Sequence, residues 1–503
     1  LLSEALAHNA TESYFARLNY NYKEKYLFEA NVRYDGSYVF RNGKRWGTFP
    51  SFSLGWNLYN ESFWENIEPY VNTLKVRASW GQLGNQNISP YSDLELIPIS
   101  ADKLNWIFNY GSTRPVGYTS GPNLVNRNLT WETATTTNVG MDLSFLNNRL
   151  SATVDWFERR TIDMVGPSQA MPGVLGTSVP KENNSTLRTR GWEISLNWKH
   201  ALENGLSYNL GISLYDYKSV VTKYFNPTGT LSTWYEGAEV GDIWGYTVND
   251  LFRSQEDLDS YLSKVDMTHI AANWNTGDLK YEDINHDGKV NNGTNTIGNH
   301  GDLSVIGNDQ PHYQYTINGG VSYKGFDFSM LWRGVAKKDM YFYRGSNIYW
   351  GFMGGWWESC LTPEHLDYFR DQPGSKYSGL YEGDANINTD AYWPRPYLNN
   401  TEEAKNKNHA NTRYLQNAAY LRLQNVQLGY SFPRSITSKM HLEKLRIYFS
   451  GENLLTFSKL PSGIDPVAPV GFPTGGEFFG TAGSGRLTYG ADRIYSIGLT
   501  VTY

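Results

Sequence analysis

The stretch Tyr495-Ser496-Ile497-Gly498-Leu499-Thr500-Val501-Thr502-Tyr503 ends the chain and decides how the rest is read. Successive side chains on a strand face opposite sides. Tyr495, Ile497, Leu499, Val501 and Tyr503 therefore share one apolar face, and Ser496, Gly498, Thr500 and Thr502 share a small polar one. One such strand would suit many sheets. Nearly every other apolar run in the chain repeats it, always with a polar or small opposite face. A wall with lipid on one side and water on the other has this pattern, which predicts an all-β fold, a transmembrane antiparallel β-barrel.

Taken from the start, Ala16, Leu18, Tyr20 and Tyr22 face out against Arg17, Asn19 and Asn21, and Lys23-Glu24-Lys25 turns the chain. Tyr26 to Asp35 alternates in the same way, followed by Phe52, Leu54, Trp56 and Leu58, and then by Leu74, Val76, Ala78 and Trp80. Val139 to Phe145 and Leu150 to Trp156 flank a tight turn at Asn147-Asn148, and Trp192 to Trp198 returns through Asn204-Gly205, a strong hairpin signal. Tyr313 to Tyr323 and Phe326 to Trp332 flank Lys324-Gly325. Parity changes between Leu423 and Val426, which predicts a β-bulge there. A short helix is expected after Ser254, with Asp257 in its first turn and Leu258, Tyr261, Leu262 and Val265 on one face. Arg17, Arg33, Lys75, Arg77, Glu193, Lys199 and Arg333 fall on the inner face, where they are expected to pair with each other or with a plug.

Bulk numbers agree with a barrel. Aromatics are 15% of the 503 residues, with 37 Tyr and 17 Trp, as interfacial girdles require. Mean hydropathy is -0.53, and no run reaches the roughly 20 apolar residues of a membrane helix. A barrel strand offers lipid only half of its side chains, so low hydropathy does not conflict. The net charge of -6 is mild and argues against a nucleic-acid partner. Cys360 stands alone, which removes a disulfide framework and multi-cysteine metal sites. No leader pattern is visible at Leu1-Leu2.

Connections alternate short and long, as with tight periplasmic turns and long outer loops. The pattern yields about 13 strands, an odd number where bacterial barrels are even. One strand escaping notice would give a closed barrel of about 14. The favoured expectation is that 1–503 forms the C-terminal part of a larger barrel, because two open edges in lipid would leave backbone groups unsatisfied at several kcal/mol each.

Several motifs resemble the SusC/RagA family of TonB-dependent outer-membrane transporters. They are Tyr34-Asp35-Gly36-Ser37, Arg45-Trp46-Gly47-Thr48-Phe49-Pro50-Ser51-Phe52-Ser53, and Leu74-Lys75-Val76-Arg77-Ala78-Ser79-Trp80-Gly81 with Gly84-Asn85. Trp131-Glu132 before Asn138-Val139-Gly140-Met141-Asp142, Tyr420 to Tyr430, Gly451-Glu452-Asn453-Leu454 and the closing strand follow in order. Each is weak alone; together they span nearly the whole chain. The resemblance implies a barrel of about 22 strands, an N-terminal plug, a SusD-like surface lipoprotein as lid, and energy from the TonB complex. It also implies insertion by the barrel assembly machinery through the C-terminal strand, pairing of two transporter–lipoprotein units, and a place in the outer membrane of a Gram-negative, Bacteroidota-like cell. Neither a plug nor a TonB box occurs within these residues, so active import of oligosaccharides or peptides is an expectation by kinship. The rival readings are a passive porin-like channel and a soluble all-β glycan-binding protein.

Two constellations are candidate sites. Asp283, Asn285, Asp287, Lys289 and Asn291, with Gly288 at the sharp turn, follow the first half of an EF-hand-like calcium loop. Thr294 stands where the bidentate Glu belongs, and Asp278, Glu282 or Asp302 could supply the missing carboxylate. The plain alternative is an Asp-Gly turn in a wet loop. Trp350, Trp356 and Trp357 lie in an outer loop, where their faces could stack on sugar rings or grip peptide side chains; loop packing is the favoured alternative. Nothing supports catalysis: the His residues are scattered, and no zinc spacing, nucleophile elbow or phosphate-binding loop occurs.

Overall fold

A computed structural model of the chain describes residues 10–86, 88, 94–95, 99–100, 118–119, 124–168, 179–342, 347–354, 361–375, 381–397, 400–467 and 491–503. Thirteen long strands hydrogen-bond in chain order. They are β1 (Thr11–Tyr22), β2 (Tyr26–Ser37), β3 (Trp46–Asn57), β4 (Val71–Asn85), β5 (Glu132–Phe145), β6 (Leu150–Pro167) and β7 (Lys181–Ala201). Then come β8 (Ser207–Lys223), β9 (His312–Tyr323), β10 (Phe326–Lys337), β11 (Tyr420–Ser431), β12 (Lys444–Ser458) and β13 (Ile494–Thr502). The chain divides into two compact units, one of Leu1–Glu193, Tyr217–Pro227 and Tyr235–Ala238, the other of Ile194–Asp216, Thr228–Trp234 and Glu239–Tyr503.

In the first unit the turns follow their sequence signals. Lys23 and Glu24 adopt positive φ (51° and 55°), as do Asn147 and Asn148 (57° and 60°), the conformation that matches hairpin turns to strand twist. The apolar face is open: Leu54, Trp56, Trp80 and Trp156 are all exposed. Their aromatic members line up across strands, Tyr26 on Trp56 and Phe52 on Trp80. At the turn end Glu61 accepts hydrogen bonds from the Tyr26 hydroxyl (2.8 Å) and Trp56 Nε1 (3.1 Å) and pairs with Lys25 (2.9 Å), fixing the polar tips of two interfacial rings. Leu58, expected in β3, instead opens a 3-10 turn at Leu58–Asn60. Its apolar parity continues although the ladder has ended.

In the second unit Gly205, Lys324 and Gly325 supply the positive φ of their turns (85°, 47° and 90°). The bulge expected near Leu423 is present, with register shifts at Leu423/Asn425 against β12 and at Leu331/Trp332 against β10. On β13, Ile497 is 82% and Leu499 62% exposed, and Tyr448 of β12 lies over Gly498 on the polar side. Ile194 and Trp198 are half-buried and belong to no buried cluster among the described residues. These apolar side chains face outward from the sheet instead of gathering inside it, as a lipid-facing wall demands.

β6, β7 and β8 run well beyond the alternating segments read from sequence. A strand crosses lipid in about 9–11 residues. Past that depth both faces meet water, so the apolar alternation stops while ladder hydrogen bonding continues.

We expect Leu499→Arg to destabilise the folded barrel by about 2–4 kcal/mol, the cost of a cation on the lipid face at mid-depth. Ser496→Arg on the polar face should be tolerated. Urea-dependent folding into lipid vesicles measures both; equal losses would contradict the two-faced wall.

A separate core lies in the long connections of the second unit. Segments between β8 and β9 and between β10 and β11 bury Tyr246, Phe252, Tyr281, Met340, Tyr349, Trp350, Trp393 and Tyr414 together. Short ladders brace it: Asp242–Tyr246 on Leu303–Asn308, and Val248–Leu251 on Leu279–Tyr281. Helix α1 (Gln255–Leu262) starts as expected, with Ser254 Oγ accepting from Asp257 N at 3.2 Å and Leu258 buried. Helix α2 (Asn400–Lys407) contributes charged residues to the interior of this module.

Candidate functional site

Five arginines on the inner face close into ion pairs with nearby acids. In the first unit Arg77 of β4 reaches Asp142 of β5 (3.1 Å) and Asp155 of β6 (2.6 Å); Arg17 pairs with Glu29 (2.5 Å) and Arg33 with Asp35 (3.2 Å). In the second unit Arg446 pairs with Asp327 and Gln427, and Arg422 with Asp465 (2.6 Å) and Thr456 (2.9 Å). Of the expectation that these inner-face charges pair with each other or with a plug, the first part is corrected here: Arg17, Arg33 and Arg77 pair with acids outside that set. For Arg17, Arg77 and Arg446 the partners are acids one or two strands away; Arg33 pairs along its own strand, and Arg422 with Asp465 in the connection after β12. Lys75, Glu193, Lys199 and Arg333 make no ion pair among the described residues.

The outer module holds a dense buried polar cluster. Lys405 Nζ lies 2.8 Å from Asp278 and 3.1 Å from Glu402, and both Lys405 and Asp278 side chains are fully buried. Asp278 also accepts from Asn275 N (2.7 Å), the Tyr397 hydroxyl (2.8 Å) and Asn406 Nδ2 (2.9 Å). Sequence reading missed this cluster. Glu402-Glu403-Ala404-Lys405 looks like a solvated helix face, and no local signal marks it as interior.

Glu403 is its odd member. Oε1 accepts from Tyr397 N, while Oε2 is buried without a partner. Burial pushes its carboxyl up to about 8, against the opposing pull of Lys407 and Lys405. A carboxyl raised in the fold contributes stability that is fully present below its ordinary pKa near 4.5 and lost as pH rises through about 8. The module is therefore expected to loosen between pH 5 and 8. Glu403→Gln should flatten that slope and protect the module at pH 8 by on the order of a few kcal/mol. Amide exchange across the pH range checks this; identical profiles would refute it.

The expected calcium loop takes a wound form. Asp283 accepts from Asp287 N (3.2 Å) and Gly288 N (2.8 Å), Asn285 from Asp287 N (2.9 Å), Asp287 from Lys289 N (2.9 Å) and Asn291 from Gly293 N (2.6 Å). His286 and Gly288 take positive φ (59° and 81°) to permit the winding. Of the three carboxylates considered for the missing ligand, Asp302 is the one hydrogen-bonded into this loop, accepting from Ile284 N (3.0 Å) and Asn291 N (2.8 Å) while fully buried. Burial raises its carboxyl. Asp278 is committed to Lys405. No group of three or more His, Cys, Asp or Glu is placed to hold a metal among the described residues. Any ion here would rest on a mixed set of carboxylate, amide and carbonyl oxygens, chemistry that suits a hard cation.

Trp350 is not an open platform. It is fully buried, its Nε1 donating to Phe342 O at 2.6 Å, with Tyr349, Tyr414 and Trp393 rings 5.1, 5.1 and 5.8 Å away. The candidate role of its face as a platform for solute is corrected, and the favoured alternative, loop packing, describes it: the loop folds back and uses the ring as core. Trp356 and Trp357 lie outside the described residues. In the C-terminal strand Tyr495, Ile497, Leu499 and Tyr503 are exposed on the apolar face, with Val501 half-buried among them.

The chain is similar to known proteins. The chain is 27% identical over 478 residues to the TonB-dependent receptor SusC of Bacteroides thetaiotaomicron, covering 92% of this chain and 42% of that protein. It is 25% identical over 481 residues to TonB-dependent receptor P3 of Formosa agariphila, with 92% and 42% covered. The solved RagAB peptide transporter superposes with a TM-score of 0.69 at 21% identity, covering 98% of this chain and 48% of that one. The chain thus spans less than half the length of these relatives. The family profile described as "TonB dependent receptor-like, beta-barrel" matches residues 5–454, and with its two-faced strands, tight turns and long opposite loops the chain belongs to that outer-membrane β-barrel family.

Proposed function

We propose that this chain builds barrel wall and outer loops of a TonB-dependent importer that carries an oligosaccharide or a peptide inward beneath a SusD-like lipoprotein. The observation that carries the reading is the pairing of an apolar outer face with a polar, charged inner face, joined on the long-loop side to a folded module. SusC and the RagAB peptide transporter, its relatives by sequence and by fold, favour this solute range and a lipoprotein partner.

The test is uptake by cells carrying the full-length protein, with and without TonB. Uptake of the supported solute is expected to vanish without TonB. Uptake that persists favours the passive channel. Co-purification of a surface lipoprotein from detergent extracts tests the partner.

The 283–302 loop is proposed to hold one calcium ion. Asp283, Asn285 and Asp287 would offer side-chain oxygens, Lys289 its carbonyl, and Asp302 a carboxylate; the ion would brace the module. Chelation is expected to lower the unfolding temperature of the module, and Asp287→Asn to abolish the calcium-dependent shift. Unfolding that is indifferent to calcium in the unaltered protein would leave the loop a turn held by its own side chains.

A further inference from the structure

On the inner face of the second unit two arginines meet across one ladder position. Arg333 of β10 lies directly opposite Arg422 of β11 in the ladder, and Thr316 of β9 flanks Arg333 on its other side. Like charges placed opposite each other destabilise a sheet unless each finds a counter-charge. Arg422 has one: it is buried, paired to Asp465 at 2.6 Å and hydrogen-bonded to Thr456. Arg333 has none among the described residues and is exposed. Further along the same face of β10, Lys337 is also exposed and makes no ion pair among the described residues. Alternation puts the two cations about 13 Å apart, with Val335 between them on the same face.

The surroundings are polar and partly preset. The Tyr215 hydroxyl donates to Gln314 Oε1 at 2.7 Å, and both sit on the inner face. Gln314 is opposite Val335, and Val335 opposite Tyr420. Arg333 is thus bordered by a committed arginine, a threonine and a row of polar and aromatic groups. This is the setting in which a planar guanidinium takes a bidentate anion. The other inner-face arginines described above, at positions 17, 33, 77, 422 and 446, already hold acids.

We propose that Arg333 is an anion-binding subsite on the inner wall, taking a carboxylate or sulfate group of the incoming solute, with Lys337 as a second contact toward the long-loop end. The inference rests on the transport reading and narrows its solute to molecules that carry such a group.

Arginine-directed labelling with phenylglyoxal on the full-length detergent-solubilised protein, read by peptide mass spectrometry, tests it. Arg333 is expected to label readily and Arg422 hardly at all; exposed Arg434 serves as the reference. Sodium sulfate or glutarate should slow labelling at Arg333 relative to Arg434, compared with sodium chloride of equal ionic strength. The slowing is about threefold at twice the dissociation constant of the anion. Maltose should have no effect. Protection by sulfate alone or by glutarate alone identifies which group the subsite takes. An Arg333 that is unreactive before any anion is added would overturn the inference, because an internal acid then holds it, and so would equal slowing at Arg434. Heat-modifiable migration of the same samples reports whether the barrel is intact, so a failed subsite is distinguished from a failed barrel reading.

Discussion

Lys405→Met is expected to destabilise the outer module by about 3–5 kcal/mol, the usual cost of removing one partner from a buried ion pair. Methionine preserves the length of the stem and its packing on the Tyr397 and Trp274 rings, which the ammonium approaches to 4.7 and 5.7 Å. What is lost is the counter-charge for Asp278, which has no exposure through which water could replace it. Asn273 O loses a donor as well. Asp278→Asn added to Lys405→Met should restore part of the loss, since the amide keeps an acceptor for the Tyr397 and Asn406 donors without a stranded charge. Hydrogen exchange on the full-length protein is the measurement: amides within 239–308 and 400–418 should lose protection while the strands of the wall keep theirs. Unchanged protection in Lys405→Met would mean that the pair is not a structural element of the module.

Trp350→Ala carries a comparable expected cost, about 3–5 kcal/mol for emptying a buried aromatic site. The cavity would open between Tyr349, Trp393 and Tyr414, and the Phe342 carbonyl would lose its donor. Trp350→Phe keeps much of the packing and loses only that hydrogen bond, about 1–3 kcal/mol if the carbonyl stays dry. The order Ala worse than Phe, tracked by loss of amide protection across the module, follows from a structural ring. A ring that touched solute would behave differently: Trp350→Ala would weaken solute binding while protection stayed as in the unaltered protein. That outcome would make Trp350 a solute contact.

Legibility differed sharply between wall and loops. Strand faces, the turns at Lys23-Glu24, Asn147-Asn148, Asn204-Gly205 and Lys324-Gly325, and the bulge at Leu423 were all readable. Lipid imposes a period of two, and hairpins impose positive φ on short stretches of sequence. The helix at Ser254 was readable for the same local reason, a cap followed by an apolar stripe. Strand ends were not, because beyond the bilayer the ladder continues without an apolar face to reveal it.

The amino-acid sequence alone determined that this protein is a two-faced β wall, since each residue there answers to the medium directly beside it, while the family was legible only as a resemblance in ordered motifs. Only the tertiary structure decided that Trp350 and Lys405 are interior, that Asp302 serves the 283–291 loop, and that Arg422 is neutralised by Asp465 while Arg333 is not. Those outcomes depend on partners dozens of residues away, in segments surrounded by water, where no repeating environment writes a pattern into the chain.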